Sequence, residues 1–235
     1  MDNSELVKPS RSRRKTKYKG AGQRETSGLT PKTDKQKEFI DALKEYSQVF
    51  VLGPAGTGKT YITATVAADL YTTKKVDKIV ITRPMVSVGK DMGYLPGTLE
   101  EKVQPWALPV LDVLQKHLGA GTVETGIKSG NIEMAPMSLM RGRSFDDAFI
   151  IVDETQNITT HELKMLLTRV GECSTIVLNG DVQQSDLKEA DGLSKVIHLA
   201  KKHMLPVSII EFGVEDIIRS DICAQWVKVF MKEKL

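Results

Sequence analysis

The sequence contains little cysteine and no long apolar run. Its two cysteines, Cys173 and Cys223, lack the spacing of metal ligands, and we interpret them as small apolar side chains in a reducing compartment. No stretch approaches the roughly 18 apolar residues that a membrane-spanning helix needs. The charged N-terminus is not typical of a secretory signal. We therefore expect a soluble, cytoplasmic protein with no membrane partner.

Acidic residues are missing from one N-terminal segment. Residues 8–24 contain eight Lys or Arg and no Asp or Glu, whereas the net charge of the whole chain is only +3. A segment this polar cannot bury enough apolar surface to offset the entropy lost on ordering it. We predict a disordered basic tail over residues 1–28, which either lies along nucleic-acid phosphates or only increases solubility. Residues 29–235 are expected to form one folded domain.

Short apolar runs alternate with helical patterns along that domain. This alternation predicts an α/β fold, with a mostly parallel sheet covered by helices on both faces. The expected strands are the run QVFVLG that ends at Gly53, followed by 78–82, 131–135, 147–153, 174–181 and 206–212. The expected helices are 34–46, 59–71, 105–117, 160–170, 188–203 and 221–233.

Some segments carry more specific signals. Thr159 and Glu162 have the spacing of a capping box, which places a helix start there. The last helix carries an apolar face that includes Trp226, which we interpret as core or as a subunit contact. Residues 83–104 contain three glycines and two prolines without a clear period, and we expect an ordered functional loop.

A glycine-rich bend follows the first predicted strand. The stretch VFVLGPAGTGKTYI, residues 49–62, matches G-x-x-x-x-G-K-[ST] between a strand and a helix, as that motif requires. Backbone amides of such a loop surround phosphate oxygens, and the following helix directs its positive end at the same anion. The alternative is a turn that binds nothing. We expect nucleotide binding by Gly53, Pro54, Ala55, Gly56, Thr57, Gly58, Lys59 and Thr60, with Lys59 also catalytic and Thr60 a ligand of Mg²⁺.

Two carboxylates follow a second apolar strand. The run AFIIVDE places Asp153 and Glu154 at a strand's carboxyl end, where α/β sheets locate their ligand sites. We expect Asp153 to hold Mg²⁺ through water, opposite Thr60. Glu154 points elsewhere and would orient and deprotonate an attacking water, which makes it a catalytic candidate. The alternative for Glu154 is a surface acid at a strand end.

A third strand ends in the polar run LNGDVQQSD. Gln183 is our candidate for sensing the γ-phosphate, and Asp181 is expected to be structural or an indirect neighbour of the metal. A plain polar loop is the alternative. Gln36, in the first helix, suits a hydrogen bond to an adenine edge or is a solvated helix residue. No N-K-x-D element follows to read guanine, so ATP is favoured over GTP.

With these motifs in this order, the chain resembles the PhoH family of P-loop ATPases, which is related to superfamily 1 helicases. The matching stretches are GPAGTGKTYIT, TRPMVSVGKDMGYLPGTLEEKVQPW, MRGRSFDDAFIIVDETQN, LTRVG and NGDVQQSDL. The resemblance implies a single RecA-like P-loop NTPase domain, ATP and Mg²⁺ as cofactors, oligomeric rings such as hexamers, and an ATP-driven helicase role in RNA metabolism. It also implies that Asp153 and Glu154 form the Walker B pair and that Gln183 is the sensor.

The chain departs from the family pattern at several positions. Thr155 stands where the family usually has the alanine of DEAQN, and Ser87 and Lys90 stand where it usually has acidic residues. Near the C-terminus, the family pattern V-R-H-P-L-V reads IIRSDIC, which retains Arg219 but loses the histidine and the proline.

One catalytic cation is missing from a single domain of this kind. Superfamily 1 motors hold ATP between two RecA-like domains, and the second domain supplies an arginine to the γ-phosphate. Such an arginine is worth about 10³ to 10⁵ in rate, so we expect a neighbouring copy in a closed head-to-tail ring to provide it. The candidates are Arg219, and then Arg141 and Arg143, which otherwise belong to a solvated basic turn.

These features together suggest a homo-oligomeric ATPase that moves along single-stranded nucleic acid, more plausibly RNA than DNA. Candidates to contact the strand are Arg83, Lys90, Tyr94 and Lys102, with Tyr94 able to stack on a base; the alternative for each is plain exposed surface. A second hypothesis is an ATP-dependent switch or assembly module that acts through partners. A small-molecule kinase would require an arginine-rich lid over the acceptor, and the sequence offers none.

Overall fold

The computed structural model describes residues 28–84, 99–181 and 192–233. The predictions for the basic tail, Lys90, Tyr94 and Gln183 lie outside these residues.

A six-stranded parallel sheet forms the centre of the molecule. Its spatial order is β3-β2-β4-β5-β1-β6, and every pair of neighbouring strands runs parallel. Each strand lies within one of the predicted apolar runs or overlaps it closely, so the predicted sheet is confirmed. The strands are β1 Gln48–Leu52, β2 Lys78–Thr82, β3 Ile132–Met134, β4 Ala148–Val152, β5 Thr175–Gly180 and β6 Ser208–Glu211.

Helices cover both faces of this sheet. The helices are α1 Asp34–Glu45, α2 Lys59–Thr72, α3 Leu99–Leu118, α4 Ala120–Ser129, α5 Thr160–Leu167, α6 Gly192–Lys202 and α7 Asp221–Glu233. Short 3-10 helices are Met137–Met140, Thr155–Asn157 and Val214–Asp216.

The core is divided by the sheet into two layers. Because side chains alternate along a strand, Val49 and Val51 of β1 pack with α1 to α4, whereas Phe50 and Leu52 pack with α5 and α6. The central strand β4 is buried along its whole length. Continuous apolar runs are therefore required in the central strands, which is the pattern that predicted them.

Capping side chains mark two of the helix starts. The side chain of Thr33 caps α1, and Thr159 with Glu162 forms the predicted capping box of α5. α5 ends at Leu167 with Thr168 as its C-cap, not at residue 170 as predicted.

The region between β2 and β3 departs most from the prediction. Helix α3 begins at Leu99 and contains Pro105 and Pro109, so residues 99–104, predicted as irregular, are helical. Helix α4 was not predicted, because its glycines have low helix propensity. One of them, Gly126, is buried, and a Cβ there would lie 2.8 Å from Ile132. The glycine allows α4 to pack closely on the edge strand β3.

One expectation about apolar side chains is wrong, and one of the two alternatives for α7 is excluded. Cys173 is exposed and is not a core residue, although both cysteines are free thiols as expected. On α7, Trp226 and Phe230 stack on each other but remain 55% and 46% exposed, so this face is not part of the core. Within the described ranges, no helix is long and apolar enough to cross a membrane.

Candidate active site

The glycine-rich loop links the carboxyl end of β1 to the start of α2. Gly53 donates its backbone amide to the carbonyl of Gly180, 3.1 Å away at the end of β5. Gly53 has φ 141°, and a Cβ there would lie 2.6 Å from Cβ of Phe212. Gly58 caps α2 with φ 89°. The loop therefore needs glycine at both positions, at Gly53 for space as well as for conformation.

Two buried polar side chains hold this loop in place. The hydroxyl of Thr57 is fully buried and donates to the carbonyl of Pro54 at 3.1 Å. Gln36 donates its amide nitrogen to the carbonyl of Thr57 at 2.9 Å, and its amide oxygen accepts from the backbone of Lys32 at 2.7 Å. The interpretation of Gln36 as a solvated residue is wrong, since it is 3% exposed. In this structure its amide braces the loop.

Lys59 lies at the first turn of α2, inside the loop. Its ammonium donates to the carbonyls of Gly53 and Pro54 at 2.5 and 2.9 Å. Burial lowers the pKa of Lys59, and the negative charges of Asp181, Asp153 and Glu154 oppose that effect. Asp181 is itself buried, and Asp181 and Lys59 line one cavity. The lysine charge thus faces three carboxylates across a space that an anion could enter.

Thr60 and Asp153 meet as the sequence predicted. The hydroxyl of Thr60 and a carboxylate oxygen of Asp153 lie 3.4 Å apart, although 93 positions separate them in the sequence. The backbone amide of Asp153 donates to the carbonyl of Thr82 at 3.0 Å, which fixes the end of β4 against β2. Burial and the charge of Glu154 raise the pKa of Asp153. A cation bound there would relieve both effects.

Glu154 directly follows Asp153 in a left-handed backbone conformation. Its φ is 54°, which few non-glycine residues adopt, and it turns the side chain away from the strand. One carboxylate oxygen, Oε2, accepts from the amide nitrogen of Gln156 at 2.6 Å. The other oxygen, Oε1, lies 4.0 Å from the guanidinium of Arg83. Both oxygens thus face donors supplied by the protein.

Gln156 is a site residue that sequence reasoning missed. Its amide oxygen accepts from the backbone amide of Asp181 at 3.0 Å, and its nitrogen holds Glu154. These two hydrogen bonds join the ends of β4 and β5. The residue is 4% exposed, so the connection lies inside the protein. The available signal was a glutamine two residues after the predicted base, but only the structure reveals that it is buried.

One cavity of about 460 Å³ lies at the carboxyl edge of the sheet and is lined by Lys59, Thr60, Asp153, Glu154, Gln156 and Asp181. Arg219 lines the same cavity, and a Cβ at Gly56 would lie 2.8 Å from its side chain. The backbone amide of Ile218 donates to the carbonyl of Gly56 at 3.0 Å. Arg219 therefore lies beside the glycine-rich loop of its own chain. Its expected contact with a neighbouring copy stays a prediction.

The other two arginine candidates differ in their surroundings. Arg143 makes a two-pronged contact with Glu133, at 2.5 and 2.8 Å, and its guanidinium lies 4.9 Å from the ring centre of Phe145. Arg143 is therefore paired within the fold in this structure, and its part as a finger stays a prediction. Arg141 is exposed.

The residues present fit a nucleotide-bound Mg²⁺ better than a metal held by protein alone. Among the described residues, no three His, Cys, Asp or Glu side chains form a group that could hold a metal ion. Mg²⁺ commonly uses one or two protein oxygens together with phosphates and water. Thr60 and Asp153 are a donor set of that kind, and the loop beside them has the amides and the ammonium that phosphates require.

Comparison with known proteins agrees with these motifs. The family model described as PhoH-like protein matches residues 28–231. The chain belongs to the PhoH family. Protein PhoH of Escherichia coli K12 is 40% identical over 204 residues, which cover 85% of this chain and 57% of that protein. The PhoH-like protein of Bacillus subtilis 168 is 40% identical over 205 residues, covering 86% and 64%. This PhoH-family chain thus matches less than two thirds of the length of either relative.

The fold is that of RecA-like P-loop NTPases. Among solved structures, the large terminase of a thermophilic bacteriophage superposes with a TM-score of 0.54, covering 86% of this chain and 50% of the terminase. The two sequences are 12% identical, so the likeness concerns the fold alone. The family assignment and the fold together agree with the resemblance inferred from the motifs.

Proposed function

We propose that this PhoH-family chain hydrolyses ATP and couples the reaction to movement along single-stranded nucleic acid. The observation that carries the proposal is the convergence of Lys59 and Thr60 with Asp153 and Glu154 around one cavity. A loop that only bound phosphate would not require a second carboxylate, held by Gln156, beside the first. Water is the acceptor that such a carboxylate suits best.

Each residue has a defined part in the proposed reaction. The loop amides and Lys59 would leave their internal contacts to bind the β- and γ-phosphates. Thr60 and Asp153 would hold Mg²⁺, which neutralises charge that develops on the phosphate oxygens. Glu154 would accept a hydrogen bond from the attacking water and then its proton, while Asp181 stays beside Lys59. Arg219 would approach the γ-phosphate in cis, with Gln183 as the proposed sensor.

We assign the base of the nucleotide to a second cavity of about 470 Å³, which shares Gly58, Tyr61 and Ile218 with the first. Gln36 lines this cavity, as do the apolar side chains of Ile40 and Ile62. For Gln36 to bind an adenine edge, as the sequence suggested, it would need to use its second N–H or exchange its contact with Thr57. We retain ATP as the proposed substrate because no guanine-reading N-K-x-D element is present in the sequence.

We further propose a homo-oligomeric ring, with a hexamer as the expected form and RNA as the strand. Arg141 is exposed and remains the candidate for a residue that reaches a neighbouring copy. The exposed face of α7 carries Ile222, Trp226 and Phe230, an apolar surface consistent with a subunit contact. The basic segment over residues 8–24 is consistent with phosphate binding. The domain that does this work is proposed to span residues 29–235.

The test is ATP turnover at low salt, with and without poly-U. We expect turnover that depends on Mg²⁺, is abolished in Lys59→Ala and rises when poly-U is added. Turnover retained by Lys59→Ala would contradict the site, and turnover indifferent to poly-U would contradict the motor. Sedimentation with and without Mg²⁺-ATP addresses the ring, since a monomer under both conditions would contradict it.

A further inference from the structure

Arg83 and Glu154 form a contact that the proposed chemistry does not use. We propose that Arg83 is a positioning residue for Glu154, and that a nucleic-acid phosphate bound by Arg83 releases Glu154 for hydrolysis. This inference rests on the proposed function, because it names the residue that links the strand to the ATPase site.

The sheet brings the two residues together. Arg83 immediately follows β2, and Glu154 lies two residues after the end of β4, its neighbour in the sheet. Thr82 pairs with Val152 in register, and the carbonyl of Thr82 accepts from the backbone amide of Asp153. The two strand ends are joined here by backbone hydrogen bonds, and they cannot separate unless those bonds break. The proximity of Arg83 to Glu154 is therefore fixed by the backbone.

The two oxygens of Glu154 are held unequally. Oε2 has a short hydrogen bond of 2.6 Å from Gln156, which is buried and anchored in turn by Asp181. Oε1 faces Arg83 at 4.0 Å, the outer limit of an ion pair. The Gln156 contact is thus the firm one, and the Arg83 contact can be lost without moving the rest of the carboxylate.

Arg83 is also open to a ligand from outside. Its side chain is 36% exposed and that of Glu154 is 37% exposed. Exposed ion pairs of this length are weak, whereas a guanidinium binds a phosphate through two parallel hydrogen bonds. A phosphodiester that approached Arg83 would therefore compete well against Glu154. A strand binding here would take the cation away from the carboxylate.

The consequence for hydrolysis follows from which oxygen is released. While Arg83 faces Oε1, both oxygens of Glu154 are directed at protein donors. When Arg83 turns to a phosphate, Oε1 is free to accept a hydrogen bond from water, and Gln156 still keeps the carboxylate in place. ATP hydrolysis without nucleic acid is then restrained, and the strand relieves that restraint.

The experiment compares Arg83→Gln with the wild-type chain in steady-state ATPase assays with and without poly-U. We expect the variant's kcat without poly-U to rise about two- to fivefold, the range set by an exposed ion pair. KM for ATP should not change, because Arg83 lies outside the loop that binds phosphate. Stimulation by poly-U should be lost. Arg83→Lys keeps the cation and should retain a restrained basal rate.

The control is Lys128→Gln, which removes an exposed cation paired with Glu124 on α4. It should behave as the wild type in both assays, and equal urea midpoints for all variants would exclude unfolding as a cause. A basal rate that stays equal or falls in Arg83→Gln, or stimulation equal to that of the wild type, overturns the inference. Absence of stimulation in the wild type overturns the coupling as well. If the wild type showed no ATP turnover, the proposed ATPase activity itself would be contradicted.

Discussion

At the scale of single residues, Glu154 combines backbone strain with the proposed chemistry. A non-glycine residue in this left-handed conformation costs on the order of 1 to 3 kcal/mol, and such strain persists where the surroundings enforce it. Here the 3-10 helix Thr155–Asn157 begins directly afterwards and is buried, with Gln156 bonded back to Glu154. The strained conformation directs the carboxylate into the cavity, whereas an ordinary strand end would direct it elsewhere.

Thr155, the next residue, carries a hydroxyl that its surroundings do not use. The side chain is fully buried, and its oxygen has no hydrogen-bond partner among the described residues. Burying such a group without a partner costs about 1 to 3 kcal/mol. We expect Thr155→Val, which keeps the shape and removes the hydroxyl, to raise the free energy of unfolding by about 1 kcal/mol, as measured by urea denaturation.

The matched variant at this position is Thr155→Ser. It keeps the hydroxyl and loses the methyl group, so it should be no more stable than the wild type. If Thr155→Val proved less stable than Thr155→Ser, the hydroxyl would have to make a hydrogen bond, and the conclusion that it lacks a partner would be wrong.

At the scale of elements, glycine is required for different reasons in the glycine-rich loop, at Gly53, and in the turn before β4, at Gly142. Gly53 and Gly142 both have positive φ, at 141° and 79°. A Cβ at Gly53 would lie 2.6 Å from the Cβ of Phe212, whereas at Gly142 nothing lies within 4 Å. Conformation alone therefore requires glycine at Gly142, and conformation plus space requires it at Gly53.

The two glycines predict different costs for the same substitution. Gly142→Ala should lower the free energy of unfolding by about 1 to 2 kcal/mol, the cost of a left-handed alanine. Gly53→Ala adds overpacking of about 1 to 3 kcal/mol, so its loss should be clearly larger. Urea midpoints of the two variants decide the matter, and equal losses would contradict the close approach of Phe212.

The edge strand β3 is stabilised by an ion cluster on one face. The carboxylate of Glu133 accepts from Arg143 and, at 2.8 Å, from Lys78 of β2. The hydrogen bonds from Arg143, followed by those from Lys78, lower the pKa of Glu133 from 4.5 to about 2, against the effect of burial. A carboxylate whose pKa is lower in the folded state stabilises the fold above pH 4.5, and this stability is lost as the pH falls toward 2.

Removing that carboxylate should therefore matter in a pH-dependent way. We expect Glu133→Gln to cost about 1 to 2 kcal/mol at pH 7, once solvent screening of a partly exposed cluster is allowed for. The difference from the wild type should shrink between pH 4.5 and 2 in urea titrations at a series of pH values. Glu124→Gln, at an exposed pair on α4, should have a much smaller effect. A pH-independent difference at Glu133 would contradict the cluster.

The elements also illustrate what sequence patterns can predict. The strands were found because burial on both faces demands continuous apolar runs, and the start of α5 because Thr159 meets local hydrogen-bonding needs. Helix α4 and the start of α3 were not found, since glycine and proline act locally against a helix. There the packing of Gly126 on Ile132 and the other tertiary contacts of α3 outweigh propensity.

At the scale of the whole molecule, the sheet topology explains why the site residues were predictable in kind but not in detail. Parallel strands place their carboxyl ends at one edge, so the meeting of Thr60 with Asp153 follows from motif and fold together. The roles of Gln156 and Arg83 depend on which strands are neighbours, and the sequence does not state that order. The position of Arg219 in cis depends on the path of the chain after β6, which no local pattern indicates.

The most direct test of the central claim is ATP turnover by Glu154→Gln, with ATP binding measured in parallel on the same protein. If Glu154 accepts the proton of the attacking water, kcat should fall by about 10² to 10⁴, whereas ATP should still bind with near-wild-type affinity because the loop and Lys59 are intact. Glu124→Gln serves as the control for removing a carboxylate. Turnover by Glu154→Gln within a few-fold of the wild type would contradict the account.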